Sequence, residues 1–233
     1  MVAAGALWAR ALVAPATRVG EPTMTLGPSS PVTLTPTPTP TPSATPSPSA
    51  SPSPNTTPTA PPTMTSSGRF AATTVSAAAA GSSGTLRVYT VNVETSAGLK
   101  VDKVATQIAG VLNDPRSWVG AGTVRFQLTA DPAKAALTVV LASPKTLSGA
   151  CTASAGSCLA GGKLYVDALS WKNPPSSYAG NAAAWQQYLI NHGVGVVLGK
   201  KPTECTKGGK PAPVMMPQQS DLRGCTANPW PFP

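Results

Sequence analysis

The sequence predicts an α+β domain: one sheet backed by two helices, followed by an irregular C-terminal region. Two observations carry this. Strand-like and helix-like segments follow one another in the order β-α-β-β-β-α. After Gly199 no regular element is evident, and the region there is rich in turn residues and contains two of the four cysteines.

The elements can be taken in order. "TLRVYTVNVE" (85–94) alternates and is rich in β-branched residues, which predicts a strand. "VDKVATQIAGVLND" (101–114) sets Val101, Val104, Ile108, Val111 and Leu112 at helical spacing, and Asn113-Asp114-Pro115 ends that helix. "TVRFQLT" (123–129) and "ALTVVLA" (136–142) read as strands joined by a turn around Asp131-Pro132. "KLYVDAL" (163–169) reads as a further short strand. "NAAAWQQYLINHGVGVVLG" then has Asn181 as N-cap and Gly199 as a left-handed helix stop. Trp185, Tyr188/Leu189, His192 and Val196 fall on one face of it.

The rest of the chain divides by composition. Residues 22–83 read as a disordered Pro/Thr/Ser-rich stalk, and no charged residue occurs from Pro22 to Gly68. Such a tract lacks the apolar side chains that would offset the entropy of ordering. Its alternating prolines favour an extended polyproline-like chain with a reach of about 100 Å. Residues 1–21 begin "MVAAGALWARALVAP", an apolar stretch interrupted by Arg10, with "APA" at 14–16 as a small-residue cleavage site. The expectation there is a poor export signal or anchor. The globular domain is expected over 84–233, long enough for one good core.

Of the seventeen Lys and Arg, only Arg10, Arg18 and Arg69 precede Gly84, and of the eight Asp and Glu only Glu21 does. The globular part therefore carries a formal charge of +7. A basic balance favours anionic partners. Its charges are scattered, however, apart from Lys200-Lys201 with Lys207 and Lys210, and they are not interleaved with aromatic residues. No specific nucleic-acid binding is expected. Four cysteines allow three pairings; the local one, Cys151 with Cys158 and Cys205 with Cys225, is the simplest. Disulfides and stalk both point to an extracytoplasmic location. No G-x-S-x-G elbow and no P-loop is present.

His192, in "YLINHGVGVVLGKKP", is the only histidine. Its surroundings are distinctive: "WQQYLINHGVGVVLGKKPTEC" is followed by "GGKPAPVMMPQQSDLRGCTANPWPFP", and "LNDPRSW", "VRFQL" and "VVLASP" lie upstream. Over 84–233 the chain resembles a bacterial extracytoplasmic family of unassigned function. That family carries a metzincin-type H-E-x-x-H-x-x-G-x-x-H motif, a methionine turn and a C-terminal N-P-W-P tail. The resemblance implies a metzincin-like, mixed twisted sheet and, in intact members, a zinc held by three histidines with a glutamate as general base.

Position by position, this chain is a degenerate member. His192 matches the first ligand and Gly199 the turn glycine. Gly193 stands at the glutamate position, and Val196 and Pro202 replace the other two histidines. Met215 or Met216 would form the methionine turn, and Cys205 and Cys225 match the family's cysteines. One imidazole cannot hold a catalytic zinc, so no cofactor and no catalytic residue are expected here. Glu204 and the cysteines are the only nearby substitute ligands.

The reading that follows is a non-catalytic relative of a secreted zinc metalloprotease, binding peptide or anionic cell-envelope polymer. Two alternatives stand beside it. One is an active metallohydrolase with substitute ligands, and the other is a basic, stalked adhesion or polymer-binding module.

Overall fold

The ten-residue strand β2 (Thr85–Glu94) organises the sheet in the computed structural model, which describes residues 62–152 and 156–233. Along one side β2 pairs in parallel with β4 (Leu137–Ala142). Its other side is shared by two strands. β3 (Val124–Leu128) runs parallel to Thr85–Tyr89, and β1 (Phe70–Ala72) runs antiparallel to Asn92–Glu94. Beyond β4 come β6 (Lys163–Asp167), parallel, and then the antiparallel edge strand β5 (Ser157–Ala160).

The alternation in sequence becomes the two faces of this mixed sheet. Tyr89, Val91, Val93, Val139, Leu141, Leu164 and Val166 point to one face and are buried under α1 (Val101–Leu112) and α4 (Ala182–Val197). Each fully buried Leu, Ile or Val there contributes about 1.5–3 kcal/mol. The other face carries a smaller cluster, Val140, Ala142, Leu147 and Cys158, beneath the short helix α2 (Pro144–Ala150) and the Cys151–Cys158 disulfide. The domain is thus α+β, as the order of patterns predicted. Its cysteines pair locally, Cys151 with Cys158 and Cys205 with Cys225.

Three expectations need correction. The first is the start of the ordered region. Residues 62–83 were expected to belong to the stalk, but they form a strap across the domain. β1 lies within it, and Ala77 exchanges backbone hydrogen bonds with Leu128. The strap is held by polar side chains of the domain, with Met64, Val75 and Ala77 packed against the margin of the core. Glu94, fully buried, accepts hydrogen bonds from the backbone N–H groups of Ser67 and Gly68 at 2.7 and 3.0 Å and from the Ser66 hydroxyl at 3.0 Å. Its second oxygen accepts from Ser143 N–H at 2.7 Å. Asp102 accepts from Thr74 N–H and from the hydroxyls of Thr73 and Thr74, and Asn113 accepts from Ala80 N–H and donates to Ala78 O. Residues 1–61, including the segment 1–21 and the rest of the stalk, lie outside the described residues.

The second correction is at residues 168–169. The expected strand 163–169 stops at Asp167, whose carboxylate accepts from Leu169 and Ser170 N–H and so caps a short helix, α3 (Ala168–Lys172). The third is the element count. Four α-helices and six strands are present among the described residues, since α2, α3, β1 and β5 were not predicted. The two long helices are the ones that back the sheet.

α4 begins and ends as its sequence dictates. The Asn181 side chain accepts from Ala184 N–H. At the other end Gly199 takes φ 71°, Gly199 N–H bonds Val196 O, and Lys200 N–H bonds Gly195 O. That is the paired closure of a left-handed glycine stop. Beyond α4 the described residues contain only an isolated bridge between Pro211 and Thr226, and the Cys205–Cys225 disulfide closes this region on itself.

Candidate functional site

Because α4 crosses the buried face of the sheet, its middle turn is enclosed. His192 is 3 % exposed. Its Nδ1 lies 2.9 Å from the carbonyl oxygen of Val214. A carbonyl only accepts, so Nδ1 carries the proton and Nε2 the lone pair. Nε2 has no hydrogen-bond partner among the described residues. Burial pushes the imidazole pKa below its ordinary 6.5, and the Val214 carbonyl opposes this only in part. The ring is therefore neutral near pH 7.

One turn earlier, Tyr188 donates its hydroxyl proton to Met216 O at 2.8 Å, accepts from Gln218 N–H at 3.1 Å, and stands 3.3 Å from His192 Nδ1. His192 and Tyr188 together pin the turn Pro213–Met216, which closes through Met216 N–H to Pro213 O. Both methionines are buried. Met215 packs in the main core, and Met216 sits with Ala212 and Cys225 in a separate small cluster.

Gly193 has no rationale in the sequence alone; the structure supplies one. A Cβ at this position would lie 2.9 and 3.0 Å from the two methyl groups of Leu164, a fully buried residue of β6. The glycine lets α4 lie close against the sheet. Gly195 is tighter still: a Cβ there would collide with Met215 Sδ and come within 2.8 Å of the Trp118 ring. These two close approaches offset the roughly 1 kcal/mol that each glycine costs the helix. Val196 is half-buried at the margin of the core. Pro202 is exposed and helps to wall a polar cleft of about 450 Å³ with Glu204, Met216 and Arg223.

The structure thus brings His192, Gly193 and the turn Pro213–Met216 together and leaves Pro202 at the surface. Of the residues at 192, 193, 196 and 202, only His192 has a metal-ligating atom. The nearby substitutes are engaged elsewhere. Glu204 is paired with Arg223 at 2.6 Å, and the Cys205 sulfur is bonded to that of Cys225. The residues present do not fit a three-ligand zinc centre with an open position.

A polar network without any periodic pattern in the sequence holds the C-terminal region to α4. Gln218 is fully buried. Its Oε1 accepts from Tyr178 Oη–H and Asn228 N–H, and its Nε2 donates to Pro213 O and Asn228 O. Asn228 donates in turn to Ala212 O and Trp230 O and accepts from Trp230 N–H. Asn191 accepts from the Ser117 hydroxyl and donates to Pro229 O, and Trp118 Nε1–H donates to Asn191 O. The signal was present in "PQQ", "NPWP" and "NH". These amides satisfy backbone groups that no ladder or helix serves.

Stability should fall with acid in two steps. A base whose folded pKa is depressed contributes stability that is complete above its unfolded value and is lost as pH falls. For His192 the loss begins below 6.5. For Glu94, burial raises the carboxyl pKa, but the N–H groups of Ser143, Gly68 and Ser67 and the Ser143 side chain outweigh it. The net pKa drops from 4.5 to about 2. Its contribution is complete above 4.5 and disappears between 4.5 and about 2. Urea midpoints measured against pH should lose the upper step in His192→Phe and the lower one in Glu94→Gln. Unchanged profiles in both variants would contradict the assignment.

These features define a class: an α+β domain with one mixed sheet, two backing helices and a disulfide-clamped, irregular C-terminal region. The model of the family described as a protein of unknown function, DUF3152, matches residues 56–223, and the chain belongs to that family. The match begins before the strap rather than at Gly84. No curated protein and no solved structure shows significant similarity to the chain. The two disulfides are compatible with an oxidising, extracytoplasmic compartment. Among the described residues no helix is long and apolar enough to cross a membrane.

Proposed function

We propose that the domain is a non-catalytic relative of secreted zinc metalloproteases of the metzincin type, displayed outside the cell on the Pro/Thr/Ser-rich segment that precedes it. It keeps the helix, the glycine stop and the methionine turn as scaffold, and it binds peptide or cell-envelope material without cleaving it. One observation carries the reading. The place where a glutamate at 193 would leave the helix is filled by the Leu164 side chain, beside a helix whose only metal-ligating group is His192. Leu164 in that space suits packing rather than water activation. His192 bound to Val214 suits a positioning role for the turn. Catalysis by zinc would need two further ligands and a general base, and the groups at 193, 196 and 202 supply neither.

The test is elemental analysis of protein purified without added metal, together with peptidase assays on unstructured substrates. Zinc well below one equivalent and no chelator-sensitive cleavage are expected. His192→Ala should leave metal content unchanged and lower stability by about 1–2 kcal/mol, because Val214 O loses its buried partner. Stoichiometric zinc that disappears in His192→Ala, with activity lost alongside, would overturn the proposal in favour of a working hydrolase with substitute ligands.

A further inference from the structure

A recess of about 190 Å³ opens beneath the C-terminal end of α4, and none of the positions 192, 193, 196 and 202 lines it. Its walls include Thr85 and Arg87 of β2, Thr123 before β3, the Trp118 indole, Lys200 just after the helix, and Phe232 of the C-terminal tail. No acidic side chain lines it. Among the described residues neither Arg87 nor Lys200 has an ion-pair partner, whereas Arg116, Lys134 and Arg223 each have one. Two unpaired cations on the rim of one recess repel each other until an anion lies between them. The Lys200 ammonium stands 5.4 Å from the centroid of the Trp118 ring, which keeps it at this site.

The walls are built in advance. Trp118 is fixed by its hydrogen bond to Asn191 O at 2.8 Å and by packing against Gly195. The tail is fixed by Phe232 N–H to Arg116 O at 3.0 Å. Gly120 admits Phe232, whose ring a Cβ at 120 would approach to 3.1 Å. Phe232 meets Trp118 edge to face at 6.3 Å yet remains 43 % exposed. The recess therefore offers the open ring of Phe232, backed by Trp118 of which only 8 % is exposed, beside two cations and two threonine residues. A ligand that matches has an apolar face, hydroxyls and an anionic group on one ring. Its volume lies below the roughly 300–1,000 Å³ of sites for drug-sized molecules, which suits a single ring. Arg87 and Leu198 also wall an adjoining apolar recess of about 160 Å³ with Leu137, Val197 and Leu159, so a neighbouring unit has room.

We propose that this recess binds one acidic sugar residue of an anionic polysaccharide, with Arg87 and Lys200 holding the acid and Phe232, supported by Trp118, meeting the C–H face of the ring. The inference does not rest on the loss of catalysis at α4. The probes are tetragalacturonate and the neutral cellotetraose, titrated into the full chain by calorimetry at low and high salt. Tetragalacturonate should bind, and its affinity should fall with salt. Cellotetraose should bind weaker by about tenfold or more. The Arg87→Gln/Lys200→Gln variant should weaken the acidic probe by about tenfold or more with an unchanged melting temperature. The distal Lys207→Gln/Lys210→Gln variant should bind as the parent does. No binding at millimolar tetragalacturonate, equal binding of the neutral probe, or equal damage from the distal variant would each refute the site. The last of these would assign the affinity to the basic surface as a whole.

Discussion

Glu94→Ala is expected to cost about 3 kcal/mol and to free the strap selectively. The carboxylate is fully buried and serves the N–H groups of Ser67, Gly68 and Ser143. Its removal leaves Ser143 N–H enclosed without an acceptor and takes from 66–68 the partners that hold this stretch to the end of β2. For a domain of this size the melting temperature should drop by about 6–12 °C. A local readout separates this from general weakening. Arg69 lies in the strap and is exposed, so trypsin should cut there in the variant well before the core sites. If Arg69 stays as resistant as in the parent, and the midpoint moves by less than about 1 kcal/mol, Glu94 does not anchor the strap.

Gln218→Leu is expected to cost about 4 kcal/mol although it removes no apolar contact. The two side chains are close in volume, so cavity formation is not the cause. The four groups left behind are Tyr178 Oη–H, Asn228 N–H, Pro213 O and Asn228 O. The first two and Asn228 O would be buried without a partner, whereas Pro213 O would keep only Met216 N–H. The Cys205–Cys225 disulfide should keep the region covalently closed, so the loss should show as exposure of the Met216 cluster and faster amide exchange over 212–230. Denaturant midpoints of the parent and Gln218→Leu give the magnitude, and an effect below about 1 kcal/mol would mean that water replaces the amide.

The regular part of the domain was legible because periodicity encodes it. Val91 and Val93 declare the buried face by alternation, the apolar run Val139–Ala142 declares a strand covered on both faces, and Asn181 and Gly199 declare both ends of α4. The strap was not legible. Its residues are small and polar, and its anchors, Glu94 and Asp102, lie far along the chain and give no local pattern. β5 escaped notice for a related reason: four residues between a disulfide loop and a glycine pair carry too little alternation to count. At the candidate site the course of α4 could be read from its caps and its apolar spacing. The role of Gly193 could not, because it depends on Leu164, nearly thirty residues earlier. The same limit hid Gln218 and Asn228, whose partners are backbone groups without sequence identity.

The arrangement of β1 has a mechanical consequence. Tension arriving along the chain from residue 61 meets the hydrogen bonds of Ser66, Ser67 and Gly68 to Glu94, then the short pairing of β1 with β2, then the bonds of Thr73 and Thr74 to Asp102, of Ala77 to Leu128 and of Ala78 and Ala80 to Asn113, and only then the sheet core. The strap therefore behaves as a fuse: a modest pull lengthens the tether by releasing residues 62–80, while β2, β4 and the helix that carries His192 stay folded. A protein held at a distance by a proline-rich segment would in this way yield first at the tether and keep its sheet and helices intact under strain.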